Sequence, residues 1–236
     1  MLNLKHRTRQ AERMDQPDLD ERLHRQALAG LARLNRASRS STILWGPIHK
    51  LTMAMRPAPL RILDLACGGG DVTLELAQRG ISRGLQLQVD GCDKSSVAIA
   101  VAQQRAAKLN VTSSKFSVHD VLRDPLPDDY DVLTCSLFLH HLSDAEAGLL
   151  LENMAHAARR LVLINDLKRS CLGYATAWVA CHALSRSPVV RFDGPVSVMS
   201  AFTADEALAL AAGHGMPEAT VSHHWPRRFL LAWRRP

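Results

Sequence analysis

The chain has 236 residues, 47% hydrophobic and 22% charged, which suits one globular domain with its own core and a small appendage. Its five cysteines, Cys67, Cys92, Cys135, Cys171 and Cys181, form no C-x-x-C pair, which argues against a disulfide framework or a cysteine zinc site. The net charge of +6 is uneven: residues 1–50 hold ten Lys/Arg against five Asp/Glu, and the remainder is almost neutral.

In chain order, residues 18–39 read as a helix, with Leu19, Leu23, Ala27, Leu28, Leu31 and Leu34 recurring near the helical period. Ser40, Ser41 and Thr42 weaken that pattern, and the run from Ile43 to Pro47 predicts a break before a short helix over 48–55. From Pro57 the chain alternates: strands over 60–65, 85–92, 115–118, 130–137 and 161–165, and helices over 71–79, 95–109 and 143–159. Such β-α-β-α alternation predicts a parallel sheet with helices on both faces. After Asp166 the rhythm changes. An apolar helix is expected over 170–184, a Pro- and Gly-containing loop over 186–201, and a helix over 204–212. Strands over 219–223 and 229–233, joined through Pro226, close the sheet like a hairpin.

The sharpest motif is Ile62-Leu63-Asp64-Leu65-Ala66-Cys67-Gly68-Gly69-Gly70-Asp71, running from a strand into a helix. Glycines there permit a tight turn and close approach of the backbone to a ligand. The helix start beyond them offers unpaired N–H groups. Two further acids lie at later strand ends. Asp93 suits hydrogen bonds to ribose hydroxyls, and Asp120 can accept from an adenine amino group. A nicotinamide fingerprint would need glycine at position 73, where Thr73 stands, and gives Asp64 no role.

The set Asp64-x-Ala66-x-Gly68-x-Gly70, Asp93 and Asp120 resembles the class I S-adenosylmethionine-dependent methyltransferases over nearly all of residues 60–165. The resemblance implies an α/β, Rossmann-like, doubly wound seven-stranded sheet with an N-terminal helical arm and a helical insert after strand five. It implies S-adenosylmethionine as cofactor. The methionine portion falls to the loop of Ala66, Cys67, Gly68 and Gly70, the ribose to Asp93, and the adenine to Asp120 with Val121; Asp64, Lys94 and Ser136 complete the cofactor side. Ala66 departs from the commonest glycine, although small residues occur there in the quinone-biosynthesis-like branch. The segment Ile164-Asn165-Asp166-Leu167-x-Arg169-Ser170, Ser185 to Pro188, and Asp193-Gly194 look like a bacterial subgroup near the ubiquinone/menaquinone methyltransferases. Two units are expected: an arm or lid over 1–56 and a catalytic domain over 57–236, with 168–202 as a substrate cap.

Chemistry is expected at the end of strand four, where His140 and His141 are candidate general bases, His141 slightly ahead. Their alternative role is to line the pocket or cap the next helix. No third ligand stands at metal spacing from them, so no metal is expected. Trp45, Tyr174, Trp178 and Arg191 are the candidate substrate contacts, with 174 and 178 one helical turn apart. The acceptor expected is a small aromatic or apolar molecule such as a phenol, quinol or polyketide, methylated on oxygen; carbon methylation of a quinone precursor is the alternative. No aromatics interleave with the arm's arginines and no N-P-P-[YF] tetrapeptide follows strand four, so a nucleic-acid partner is not expected. No apolar run approaches the ~20 residues of a membrane span. A cytoplasmic protein is expected, with peripheral membrane contact left open. Non-catalytic cofactor binding and the oligomeric state stay undecided at this level.

Overall fold

The structure, a computed structural model, describes residues 4–16 and 18–236. Met1 to Asn3, the start of the basic arm, and Pro17 lie outside the described residues. Seven strands form one sheet in the order β3-β2-β1-β4-β5-β7-β6. They are β1 (Leu60–Leu65), β2 (Leu87–Asp93), β3 (Phe116–Val118), β4 (Val132–Ser136), β5 (Leu161–Leu167), β6 (Thr220–His224) and β7 (Arg228–Arg234). The first five are mutually parallel, and β7 runs antiparallel between β5 and β6. This is the doubly wound sheet expected, with its closing antiparallel pair.

Both faces of the sheet are covered, so the central strands are apolar on alternate sides. On one face Leu63, Leu65, Leu133, Cys135, Val162 and Ile164 pack against α5 (Asp144–Ala157) and α8 (Ala204–Gly213). On the other, Leu60, Ile62, Val132, Leu161 and Leu163 meet α2 (Ser40–Met55) and α3 (Asp71–Ser82). Helix starts follow local chemistry. Ser143 with Glu146 and Thr203 with Glu206 form reciprocal capping boxes at α5 and α8. Ser95 caps α4 (Ser96–Lys108) by accepting from the Ala98 N–H.

Two expectations are overturned here. The break at Ile43–Pro47 is absent: α2 runs through Pro47 from Ser40 to Met55. An internal proline costs a helix roughly 3 kcal/mol. Burial of Ile43, Leu44, Ile48 and Leu51 against the sheet outweighs it, at about 1.5–3 kcal/mol per side chain. The loop over 186–201 is instead α7 (Pro188–Ser200). Ser187 caps it, Pro188 occupies the first turn where no N–H is needed, and Val189, Val190, Val196 and Val198 are buried.

Residues 1–56 therefore do two jobs. Helix α2 is a layer of the sheet's core, while α1 (Glu21–Ala37) and the segment before it lie above the strands' carboxyl ends. There α1 packs on α4, α7 and α6 (Cys171–Leu184) through Ala27, Cys181, Val189 and Val190. The preceding segment, with its 3-10 turn at Arg13–Asp15, is strapped down by Asp193, which accepts from the Arg13 and Met14 N–H groups. Arg7 adds bonds to the carbonyls of Ser200 and Leu142.

Candidate active site

A cavity of about 1110 Å³ opens between the carboxyl ends of the strands and the cap formed by α1, α6 and α7. Ligands of doubly wound sheets bind outside these ends, where the strand order reverses. Here the reversal falls at β1, which pairs with β2 on one side and β4 on the other.

The turn after β1 shapes one end of the cavity. Ala66, Gly68 and Gly70 all have positive φ, at 52°, 53° and 71°. A Cβ on Gly70 would lie 2.8 Å from the Ala102 Cβ and 2.9 Å from the Phe116 ring, so the turn is closely packed from behind. Ala66, Cys67 and Gly68 face the cavity, whereas Gly70 does not line it. Asp64 is buried beneath and accepts from the Thr73 and Thr134 hydroxyls at 2.6 and 2.8 Å, tying β1 to α3 and β4. Burial lifts its carboxyl to about 6 against the pull of those two hydroxyls.

Asp93 accepts from the Gly68 N–H at 2.9 Å and the Ser95 N–H at 2.8 Å. It braces the glycine turn, while Ser95 performs the helix capping. Burial raises its pKa, opposed by these two N–H groups. Each carboxylate oxygen keeps a lone pair for a further donor. Lys94, Asp120, Val121 and Ser136 also line the cavity. Asp120 accepts from the Leu122 N–H, and Val121 is buried. The Ser136 hydroxyl and the His119 Nε2 are buried in this lining without a protein partner. Spare acceptors on Asp93, a turn of small residues and two orphaned polar atoms fit a polar nucleoside cofactor.

The other end is ionic. His140 is buried, and its Nδ1 lies 2.6 Å from the Asp166 Oδ1. Its backbone N–H donates to the second Asp166 oxygen at 3.1 Å. Burial would raise the Asp166 carboxyl, but the charge and hydrogen bond of His140 outweigh it and hold it below the ordinary value. His141 sits beside it with Nδ1 2.7 Å from the Asp15 Oδ2. Burial pulls its imidazole down, but Glu12 facing it and the Asp15 bond lift it to about 9.

Glu12 completes the cluster from the N-terminal segment. It lies 3.6 Å from the His140 Nε2 and 3.9 Å from the His141 Nε2, and the Ser197 hydroxyl donates to it at 2.5 Å. Sequence reasoning missed Glu12 and Asp15, which stand more than 120 residues from the histidines. Asp166 was visible only as the point where the strand–helix rhythm changes and within the segment Ile164 to Ser170. The folded arm thus brings a third group of ligand type, Glu12, close to His140 and His141.

The four substrate candidates are corrected, because none lines the cavity. Trp45 faces the sheet's core layer, stacked on His49 at 5.6 Å with the Arg83 guanidinium over its ring. Trp178 is 49% exposed and stacks on His182. Tyr174 shares that outward side of α6. The α6 wall of the cavity holds small residues such as Gly173, Thr176 and Ala177, with the aliphatic Leu172, Val179 and Leu184 beside them and no aromatic. Arg191 donates to the carbonyls of Ser185 and His182, bracing the α6–α7 turn.

Residues 62–160 match the methyltransferase domain family. That stretch is a methyltransferase domain, and the sheet that contains it has the fold of S-adenosylmethionine-dependent methyltransferases. The chain is 34% identical over 86 residues to a ubiquinone biosynthesis O-methyltransferase of Pseudomonas fluorescens, covering 36% of this chain and 34% of that one. It is 28% identical over 183 residues to a 2-phytyl-1,4-naphtoquinone methyltransferase of Synechococcus elongatus, covering 72% of this chain and 77% of that one. The match to the Pseudomonas relative thus spans about a third of that protein's length. Magnesium protoporphyrin IX methyltransferase of Synechocystis, solved with bound S-adenosylmethionine, shares the fold at a TM-score of 0.56 and 17% identity, covering 95% of this chain and 88% of that one. Among the described residues no single helix is long and apolar enough to cross a membrane.

Proposed function

We propose that this methyltransferase domain transfers a methyl group from S-adenosylmethionine to a hydroxyl of a small, largely apolar aromatic acceptor such as a phenol or quinol. One observation carries the reading: a single cavity joins the glycine turn and Asp93 at one end to the His140–Asp166 pair at the other. Two relatives named for quinone methylation support an acceptor of this class.

The bound cofactor supplies an electrophilic methyl on its sulfonium, and the protein's work is alignment and proton removal. The turn of Ala66–Gly70 and Asp93 would hold the methionine and ribose portions, and Asp120 with Val121 the adenine. Asp166 fixes the tautomer of His140 by accepting from its Nδ1, leaving the Nε2 lone pair to take the acceptor's proton. This favours His140 over His141 as the base, since its Nδ1 is held by a fully buried carboxylate while that of His141 meets the exposed Asp15. The small and aliphatic residues of α6 give an apolar acceptor a wall and limit water.

Incubation with methyl-labelled S-adenosylmethionine and a panel of catechols and quinols, read by mass spectrometry, tests this. Labelled methyl ethers are expected, and His140→Ala is expected to lower kcat about 10²–10⁴-fold while cofactor affinity is kept. Label on ring carbon, or wild-type turnover in His140→Ala, would overturn base-assisted O-methylation.

A further inference from the structure

Three candidate ligand atoms converge at the acceptor end of the cavity: the Nε2 atoms of His140 and His141 and a carboxylate oxygen of Glu12. All lie within 4.8 Å of one another. The gaps, 3.6 Å from the His140 Nε2 to the Glu12 Oε1 and 3.9 Å from the His141 Nε2 to the Glu12 Oε2, exceed hydrogen-bond length. They are close to the ~3.4 Å that separates the ligands of a tetrahedral ion with bonds of about 2.0–2.1 Å.

The surroundings match a metal's outer partners. Each histidine presents its Nδ1 to a different carboxylate, Asp166 at 2.6 Å and Asp15 at 2.7 Å. That contact fixes a metal-binding imidazole with Nε2 free to ligate. Three carboxylates, Glu12, Asp15 and Asp166, thus surround two imidazoles, with Glu12, Asp166 and His140 buried and Asp15 exposed at the rim. Arginines nearby are committed elsewhere: Arg7 to Asp144 and the carbonyls of Ser200, His140 and Leu142, Arg9 to the His141 carbonyl, and Arg13 over the Phe192 ring; Lys94 is the cation whose charge acts on Asp15.

We propose that Glu12, His140 and His141 bind a divalent ion of the zinc type, with its open coordination position facing the cavity. Two imidazoles and one carboxylate favour zinc, cobalt or iron over magnesium. The ion and a proton are competing occupants of the His140 Nε2. With the ion bound, an acceptor hydroxyl in the open position would be acidified by the ion itself. This role rests on the acceptor lying at this cluster, whereas metal binding does not. The site also ties the N-terminal segment, through Glu12, to the turn after β4.

The test is metal uptake by the full chain. Protein stripped with EDTA, incubated with zinc chloride and desalted, is expected to retain about one zinc per chain by mass spectrometry of the metal. Glu12→Ala and His141→Ala are each expected to lower retention at least about tenfold. Far-UV circular dichroism and S-adenosylmethionine binding show that each variant is folded. Cobalt(II) titration is expected to give the visible absorption of a tetrahedral site in wild type and not in Glu12→Ala. Wild-type retention below a tenth of an equivalent, or retention unchanged in a folded Glu12→Ala/His141→Ala double variant, would overturn the site. Methyl transfer that persists undiminished in EDTA by a chain without zinc overturns the ion's role in acidifying the acceptor and leaves the activity standing. Stoichiometric zinc on a chain that methylates nothing upholds the metal and removes the activity.

Discussion

Ala66 holds a left-handed backbone conformation, φ 52°, that an L-residue adopts at a cost of roughly 1–2 kcal/mol. Glycine removes that strain and gives back part of it as unfolded-state entropy. Ala66→Gly is therefore expected to stabilise the chain by about 0.5–1 kcal/mol, a rise in Tm of about 1–4 °C in a thermal melt. A lowered Tm would mean that the turn is held differently. His141 carries a second residue-scale prediction. Its folded pKa of about 9 exceeds the unfolded imidazole's ~6.5, so its contribution to stability is complete below pH ~6.5 and is lost as pH rises through 9. Urea melts of metal-free protein should show a decline of at most about 3 kcal/mol across that window, and His141→Gln should flatten it. An equal slope in the variant would assign the effect to another group.

At the scale of elements, burial decides where local propensity fails. Pro47 and the Pro188, Gly194 and Pro195 set are breakers by composition, yet α2 and α7 are continuous because their apolar faces are covered by the sheet and by α6. Leu44→Ala on α2 is expected to cost about 2–5 kcal/mol in denaturant melts and to leave cofactor affinity alone. A loss under 1 kcal/mol would mean that α2 is not part of the core. Strands β1, β4 and β5 were legible because each is a short, mainly apolar run, β2 and β3 because they alternate with helices, and the glycine turn, Asp93 and Asp120 because each is local to a strand end. The α6 wall was misread for a physical reason. Aromatics at 174 and 178 share a helix face, but sequence cannot say which face meets the cavity, and small and aliphatic residues won that side.

At the scale of the molecule, the ionic end of the cavity exists only after the chain closes on itself. Glu12 and Asp15 reach His140 and His141 because Asp193, on α7, receives the backbone of the 3-10 turn that carries them. No local pattern encodes that meeting. Burial raises the Asp193 carboxyl to about 6, against the Arg13 and Met14 N–H groups that it accepts. Asp193→Ala removes both bonds and should speed tryptic cleavage after Arg9 or Arg13 about tenfold in limited proteolysis. Unchanged protection would show that Arg7 and the Ser197–Glu12 contact hold the segment unaided.

The most direct test is calorimetric titration of S-adenosylmethionine into wild type, Asp93→Ala and Trp45→Ala. One-to-one binding by wild type and by Trp45→Ala is expected, with affinity lowered about 10–100-fold by Asp93→Ala. Equal affinity in wild type and Asp93→Ala, or no binding by wild type at millimolar cofactor, would contradict the cofactor site described at the end of β2.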